Sequence, residues 1–413
     1  VVDREKEIQA FIPVESWTLE AQLHKEKSPA ARPHLFTGVL HSVKGQKNRL
    51  SIPNEDDARG YEAELKDAAY AVSNVRKREV RQRPTAPFTT STMQQEAGRK
   101  LRLTPRRTMS IAQELYEGLP VGGGESVGLI TYMRTDSVQV ATSAVSEARG
   151  YITDTYGKDY VPEKPRVFTT KAKSAQEAHE AIRPTSIERE PDAVRQHLNP
   201  EQFRLYDLVW KRMLASQMSD ALFDSTNVDI TAPGTSSDTV YVFRVKGSVL
   251  KFQGFRVLYI EDRDDASADA DQEETTPIPD LSKGDVLDLR SLKPGQHFTQ
   301  PPPRYSEPTL IKAMEEQGIG RPSTYVPIIG TIVARDYVRK ERGRFVPTKL
   351  GTAVTGLLTA HFPDVMDIGF TARVEEELDD IASGEREWTP VLRDFYDPFD
   401  EAIERAKREA ERV

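Results

Sequence analysis

The chain has 413 residues, more than one ordinary hydrophobic core accommodates, and no cysteine, which excludes disulfides, thiol nucleophiles and thiolate metal sites within it. No run approaches the ~18 consecutive apolar residues of a membrane span, and the opening "VVDREKEIQAF" has no signal-peptide core, so a cytoplasmic protein without a membrane partner is expected. The formal net charge of −8 is unevenly spread: residues 261 to 274 carry eight acids against one base, and residues 75 to 107 carry ten bases against two acids. That basic run, threaded with Thr, Ser and Gln, can track a phosphate backbone or simply form a solvated charged face. The chain lacks an initiator methionine and opens in mid-helix, as a piece of a longer protein would.

Residues 1 to 30 read as the end of a helix and then a strand-like "SWTLEAQL". Composition changes near residue 31. There "HLFTGVLHSV" and "RLSIP" read as short strands, and "DARGYEAELKDAAYAVSNV" as a helix with Tyr61, Leu65, Ala68, Ala69 and Val72 on one stripe. The turn-rich "RPTAPFTTS" marks a boundary near residue 91. Residues 92 to 218 are mainly helical, with stripes through Val145, Ala148, Ile152 and Tyr156 and through Phe203, Leu208, Trp210 and Leu214, and with one expected strand at 128 to 135. Residues 219 to 298 return to period-2 strands, "STNVDITA", "DTVYVFRV" and "FRVLYI", interrupted by the acidic low-complexity run. From 299 onward, two helices separated by "QGIGRPS" and followed by the hairpin-like "YVRKERGRFVPT" predict a helix-turn-helix with a wing, a shape that docks on nucleic acid. The order is nested: outer, β, inner, β, outer.

Four stretches carry candidate chemistry. In "GLITYMRTDS", strand alternation puts Tyr132 and Arg134 on one face. A phenol titrates near pH 10, so a nucleophilic Tyr132 needs a neighbouring cation to favour the phenolate or the transition-state charge, and a guanidinium also holds phosphate bidentately. The plain alternative is a half-buried tyrosine beside a surface arginine. "SAQEAHEAIRPT" places His179 and Arg183 four apart on an expected helix with Glu177 and Glu180 nearby; the position that a zinc protease motif would fill with a second histidine is Arg183. "GIGRPSTY" combines a glycine turn, Arg321, Pro322 at a helix start and the hydroxyls of Ser323 and Thr324, which suits either an anion site or a capped turn. The acids after "VLYIEDRDD" continue without pattern, as a solvated loop does and a metal site does not, and no phosphate-binding G-x-x-x-x-G-K-[ST] loop points to triphosphate use.

Together, "APFTTSTMQQEA", "GLITYMRTDS", "AHEAIRPT", "PPPRYSEPTLIKAMEEQGIGRPSTY" and "FTARVEEELDDIASGE" resemble the bacterial type IA DNA topoisomerase family, in the family's order and over nearly the whole chain. The resemblance implies a multidomain α+β fold, toroidal, with a helical gate domain at 92–218, a β-rich arch at 31–91 and 219–298, and a winged-helix-like base at 1–30 and 299–413. It implies that Tyr132 attacks one DNA strand to give a 5′-phosphotyrosine link, that Arg134 positions the phosphate, that His179 supports the linked site, and that Arg321, Ser323, Thr324 and Arg183 contact DNA. It further implies an ATP-independent monomer acting on single-stranded and negatively supercoiled DNA at the nucleoid, with hinges near 91 and 218. Magnesium is implied as well, on an N-terminal Toprim domain that has no counterpart in this chain; zinc ribbons, which need cysteine, have none either. The stretch "EGLPVGGGESVG" is longer than the compact family pattern. Two rivals stand beside this reading: a non-catalytic module that grips single-stranded nucleic acid, with Tyr132 as a packing residue, and, further off, a tyrosine recombinase.

Overall fold

The structure is a computed structural model that describes residues 1–25, 34–46, 48–122, 125–169, 180–261 and 278–409. A first helix, α1 (Val2–Ala10), leads into β1 (Glu15–Lys25), β2 (Phe36–Val43), α2 (Glu55–Leu65) and β3 (Tyr70–Gln82). A helical section follows: α3 (Thr90–Glu96), α4 (Pro105–Glu117), the small hairpin β4 (Leu119–Pro120) and β5 (Ser126–Val127), α5 (Thr142–Tyr156), α6 (Pro191–Val194) and α7 (Pro200–Gln217). The chain then returns through β6 (Ala221–Pro233), β7 (Val240–Phe252) and β8 (Val286–Phe298). It ends in α8 (Glu307–Glu316), α9 (Tyr325–Ala334), β9 (Val338–Glu341), β10 (Arg344–Pro347), α10 (Lys349–His361), α11 (Pro363–Met366), α12 (Ile368–Ser383) and α13 (Trp388–Glu409).

The β stretches close into one antiparallel barrel in the order β1-β2-β7-β6-β3-β8. Closure is thin at one seam, where β3 meets β8 only at Tyr70↔Leu287 and Ala71↔Val286. Alternate residues fill the interior: Leu19, Ala21 and Leu23 from β1, Val228 and Ile230 from β6, Phe243 and Val245 from β7. Helix α2 adds Ala58 and Leu65 to that core, its first turn capped by the Asn54 side chain accepting from the Asp57 N–H. The strand expected within residues 1 to 30 thus belongs to the barrel, paired with β2 and β8, because its inward residues have no other core to enter.

Several local expectations change. The helix expected through Val72 stops at Leu65 and the chain turns into β3, where Tyr70 and Val72 alternate into the barrel. "RLSIP" forms no strand, although Leu50 and Ile52 bond to His41 and Trp17. "FRVLYI" is a short 3-10 turn, Gly254–Val257, instead of a strand: Gly254 has φ +50, and a side chain there would meet the Asp220 carbonyl oxygen. Of the acidic run only Glu261 lies within the described residues.

The C-terminal section carries the expected helix-turn-helix and wing. Helix α8 starts at a Ser306/Thr309 capping box with Pro308 in its first turn. The wing turns at Arg342 (φ 49) and Gly343 (φ 77), both left-handed, as a two-residue hairpin with right-handed strand twist requires. Ile311, Met314, Tyr325, Ile329, Val338 and Phe345 form its core.

The three sections touch one another in a cycle. The barrel passes into the C-terminal section through β1 and β8, whose ends are tied by Val14 and Thr299. It meets the helical section through Phe223, Phe255 and Tyr259, which join the core of α4 and α7. Helix α3 packs on α8 and closes the circuit.

A buried charged network sits where the chain crosses between barrel and helices. Arg212 of α7 donates to the Ala86 carbonyl (2.5 Å), to Tyr259 Oη (3.2 Å) and to Glu261 (3.1 Å), and its guanidinium stacks on Phe88. Tyr259 in turn donates to Glu96 (2.6 Å), whose other oxygen takes Arg99 (3.1 Å). Arg212 is 3% exposed, and removing it leaves the Ala86 carbonyl and Tyr259 Oη without this donor and Glu261 without its ion-pair partner. Arg212→Ala is expected to cost about 3 kcal/mol, visible as an earlier urea transition in the fluorescence of Trp210; an unchanged midpoint would show the network to be energetically idle.

Candidate active site

The stretch expected to be a strand, 128 to 135, joins no sheet; it is an extended segment with a single bridge, Ile130↔Pro184. Its backbone is satisfied by other means. Leu129 N–H donates to the Leu115 carbonyl (2.7 Å) at the end of α4, and Thr131 N–H to the Arg183 carbonyl (2.9 Å). The hydroxyl of Thr131 donates to the Ala181 carbonyl (2.7 Å) and accepts from the Arg183 N–H (3.0 Å). On the far end, the Thr90 hydroxyl donates to the Met133 carbonyl (2.7 Å) and accepts from the Thr135 N–H (2.9 Å). The period-2 alternation survives without a sheet: Met133 and Thr135 are buried, and Tyr132 and Arg134 are exposed on the other side.

Tyr132 is 42% exposed and lines a cleft of about 540 Å³ with Tyr116, Gly128, Thr131, Thr135, Glu180 and Arg183 among its walls. Arg134 is not part of that lining. The cation that shares the cleft with Tyr132 is Arg183, held by Glu180 (Nε to Oε2 2.6 Å) and by the Pro184 carbonyl (3.0 Å). The helix expected around Arg183 is absent from its described part: residues 180 to 185 are extended, because Pro184 disfavours a helical Arg183 and the segment bridges to Phe88 and Ile130. His179 lies outside the described residues. Tyr116 was not singled out from sequence; its signal was an aromatic at the end of an amphipathic helix, off the stripe of Thr108, Ile111, Ala112 and Leu115. The stretch "EGLPVGGGESVG" begins one residue later, at Glu117, the last residue of α4; Gly118 (φ 112) ends that helix, and the stretch supplies the paired strands β4 and β5.

Arg321 is turned inward. Its Nη2 donates to Asp379 (2.7 Å), its Nε faces Glu375 (3.6 Å), and its Nη1 donates to the Gly320 carbonyl (3.0 Å). Burial works against its charge, and the carboxylates of Asp379 and Glu375 more than offset this, so its pKa is raised. Thus "FTARVEEELDDIASGE", on α12, is the ion-pair partner of "GIGRPSTY". The Thr324 hydroxyl accepts from the Arg321 N–H (2.8 Å) and so closes the turn, with α9 starting only at Tyr325; Pro322 lies in that turn, and Ser323 is exposed.

Half of the basic run is matched by acids. Arg76 pairs with Asp229, Lys77 with Asp280, Arg81 with Glu79, Arg99 with Glu96 and Arg107 with Glu201. These pairs lie mostly on exposed strand and helix faces. Among the described residues no group of three or more His, Asp or Glu is placed to hold a metal ion, and no step below passes through magnesium. No helix of the described residues is long and apolar enough to cross a membrane.

The helical and C-terminal sections meet close to the cleft. The Ser91 hydroxyl donates to Glu315 Oε2 (2.6 Å) and Gln95 donates to Ser91 Oγ (2.8 Å). Gly98 lies so near Pro308 that a side chain there would come within 2.6 Å of its ring. Burial, and then the charges of Glu315 and Asp136, hold the Tyr325 phenol far above its ordinary pKa. Glu315→Ala strands the buried Ser91 and Gln95 donors, at about 1–3 kcal/mol for the contact. Amide exchange in Thr90–Glu96 is expected to accelerate about ten-fold or more while barrel amides stay unchanged; equal protection in both proteins would show the contact to be incidental.

The sequence profile of the DNA topoisomerase family matches residues 1–393. DNA topoisomerase 1 of Xylella fastidiosa, strain Temecula1, is 46% identical over 411 residues, covering 98% of this chain and 49% of the relative, and that of strain 9a5c gives the same identity and coverage. The chain spans about half the length of the curated relatives it matches. The full-length topoisomerase I structure from Thermotoga maritima superposes with a TM-score of 0.78 at 31% identity, over 100% of this chain and 62% of that one.

Proposed function

Because the chain belongs to the bacterial type IA DNA topoisomerase family, we propose that it supplies the nucleophile, the gate and the frame of an ATP-independent enzyme that relaxes negatively supercoiled DNA. The observation that carries this reading is Tyr132: an exposed phenol in an open cleft, on a segment whose backbone is fixed at both ends, with a guanidinium in the same wall.

In this reading Tyr132 Oη attacks a phosphodiester phosphorus of single-stranded DNA. The Oη–P bond forms, the bond from phosphorus to the 3′-oxygen breaks, and the phenolic proton ends on that 3′-oxygen. The 5′-phosphotyrosine ester retains much of the energy of the broken bond, so the free 3′-hydroxyl can reverse the attack after another strand has passed. Supercoiling strain sets the direction, which is why no triphosphate is needed. Arg183, in the cleft, is our first choice to neutralise the phosphate, with Arg134 on the same side of the segment and His179 as a supporting group. Arg321 acts from the neighbouring section, through an exchange of Asp379 for phosphate or by holding the α8–α9 turn, with Ser323 and Thr324 beside it.

The helical section, 92–218, is then the moving gate, the barrel is the arch and the outer section is the base. Gate opening loads the junction near 91, where Arg212 binds Ala86, and the junction near 218. We expect a monomer acting at the nucleoid and poor cleavage by this chain alone, since the magnesium-binding acids implied by the family lie outside it. The rival reading, a module that only grips single strands, keeps Tyr132 as a packing residue.

Full-length protein incubated with magnesium and a 3′-end-labelled single-stranded oligonucleotide separates the two on a denaturing gel. Wild type is expected to retain label and Tyr132→Phe to lose it by at least ~100-fold with binding unchanged. Equal labelling of the two, or none in either, would leave the binding module.

A further inference from the structure

The cleft contains a second tyrosine. Tyr116 is 40% exposed, lies on the last turn of α4 and lines the same cleft as Tyr132. Its ring meets that of Tyr132 at 5.3 Å between centroids and 65° between planes, an edge-to-face pair. The two rings are also locked through the backbone. Leu129 N–H bonds to the carbonyl of Leu115, next to Tyr116, and Gly128 lies so close to the Tyr116 carbonyl that any side chain would come within 2.6 Å of it. A core tyrosine would be buried, as Tyr206 is; this one is instead half in solvent beside an exposed phenol.

We propose that Tyr116 is a positioning residue for Tyr132: its ring is the wall that restricts the nucleophile's side-chain torsions and keeps Oη on the line of attack. This rests on the reading of Tyr132 as the nucleophile. An exposed tyrosine on an extended segment has two soft torsions and a wide solvent-facing arc, and a small angular error at the attacking oxygen slows an in-line displacement steeply. An aromatic pair constrains both torsions at once through the complementary quadrupoles of ring edge and ring face. The contact involves the ring, so phenylalanine serves as well as tyrosine. Substrate binding belongs to the cations and to the rest of the groove, so the oligonucleotide concentration for half-maximal rate is left unchanged.

The test measures the rate of covalent trapping of a 3′-labelled oligonucleotide against its concentration, in the full-length protein with magnesium, for wild type, Tyr116→Phe, Tyr116→Leu and Tyr132→Phe. Tyr116→Leu is expected to trap about ten-fold more slowly at saturation with half-saturation within about two-fold of wild type, and Tyr116→Phe to match wild type. A wild-type rate in Tyr116→Leu overturns the proposal alone, as does a loss of oligonucleotide binding in that variant, which would make Tyr116 a structural or stacking residue. A slow Tyr116→Phe also overturns it, since the hydroxyl would then be the active part. If Tyr132→Phe traps as wild type does while Tyr116→Phe traps nothing, the nucleophile is Tyr116 and both readings fall.

Discussion

A pair of threonine hydroxyls holds the segment that carries Tyr132. Residues 128 to 135 have no strand neighbour along their length, yet their carbonyls and N–H groups are partly inside the protein, where an unmatched polar group costs a sizeable fraction of a domain's stability. Thr131 bonds to both sides of the 181–183 backbone, and Thr90 to both Met133 and Thr135. Side chains here do what a sheet ladder does elsewhere, and they do it while leaving one face open.

The same hydroxyl links the site to its surroundings. Thr90 is the first residue of α3, which carries Ser91 and Gln95 onto Glu315 of α8 and Glu96 into the network under Arg212. A movement that separates α3 from α8 therefore also acts on the backbone at Met133 and Thr135, one and three residues from Tyr132. Side chains of Ser91, Gln95 and Glu315 make that contact polar, whereas the barrel and helical cores beside it are large and apolar.

Charge is arranged to keep arginines in place more than to display them. Arg321 is matched by Asp379 and Glu375, Arg183 by Glu180, and half of the basic run by acids on the barrel and helices. These guanidiniums are oriented by carboxylates, so an anion binding at them would exchange partners with those acids.

Residues adjacent in sequence, or repeating with a regular period, were legible without coordinates. The alternation that puts Tyr132 and Arg134 outward, the α5 and α7 stripes, the β6 and β7 strands and the helix-turn-helix with its wing all follow from side-chain period and turn chemistry, which are local. Contacts between distant segments were not legible, because nothing in a one-dimensional pattern reports which faces meet. Only the folded chain puts β1 in the barrel, straightens 180 to 185 around Pro184, chooses Arg183 over Arg134 for the cleft wall, sets Tyr116 against Tyr132 and turns Arg321 onto α12. Sequence alone determined the chemistry available, a tyrosine among arginines and hydroxyls; tertiary packing decided which of them share one cleft, since that depends on how the separate segments carrying Tyr116, Tyr132 and Arg183 pack together.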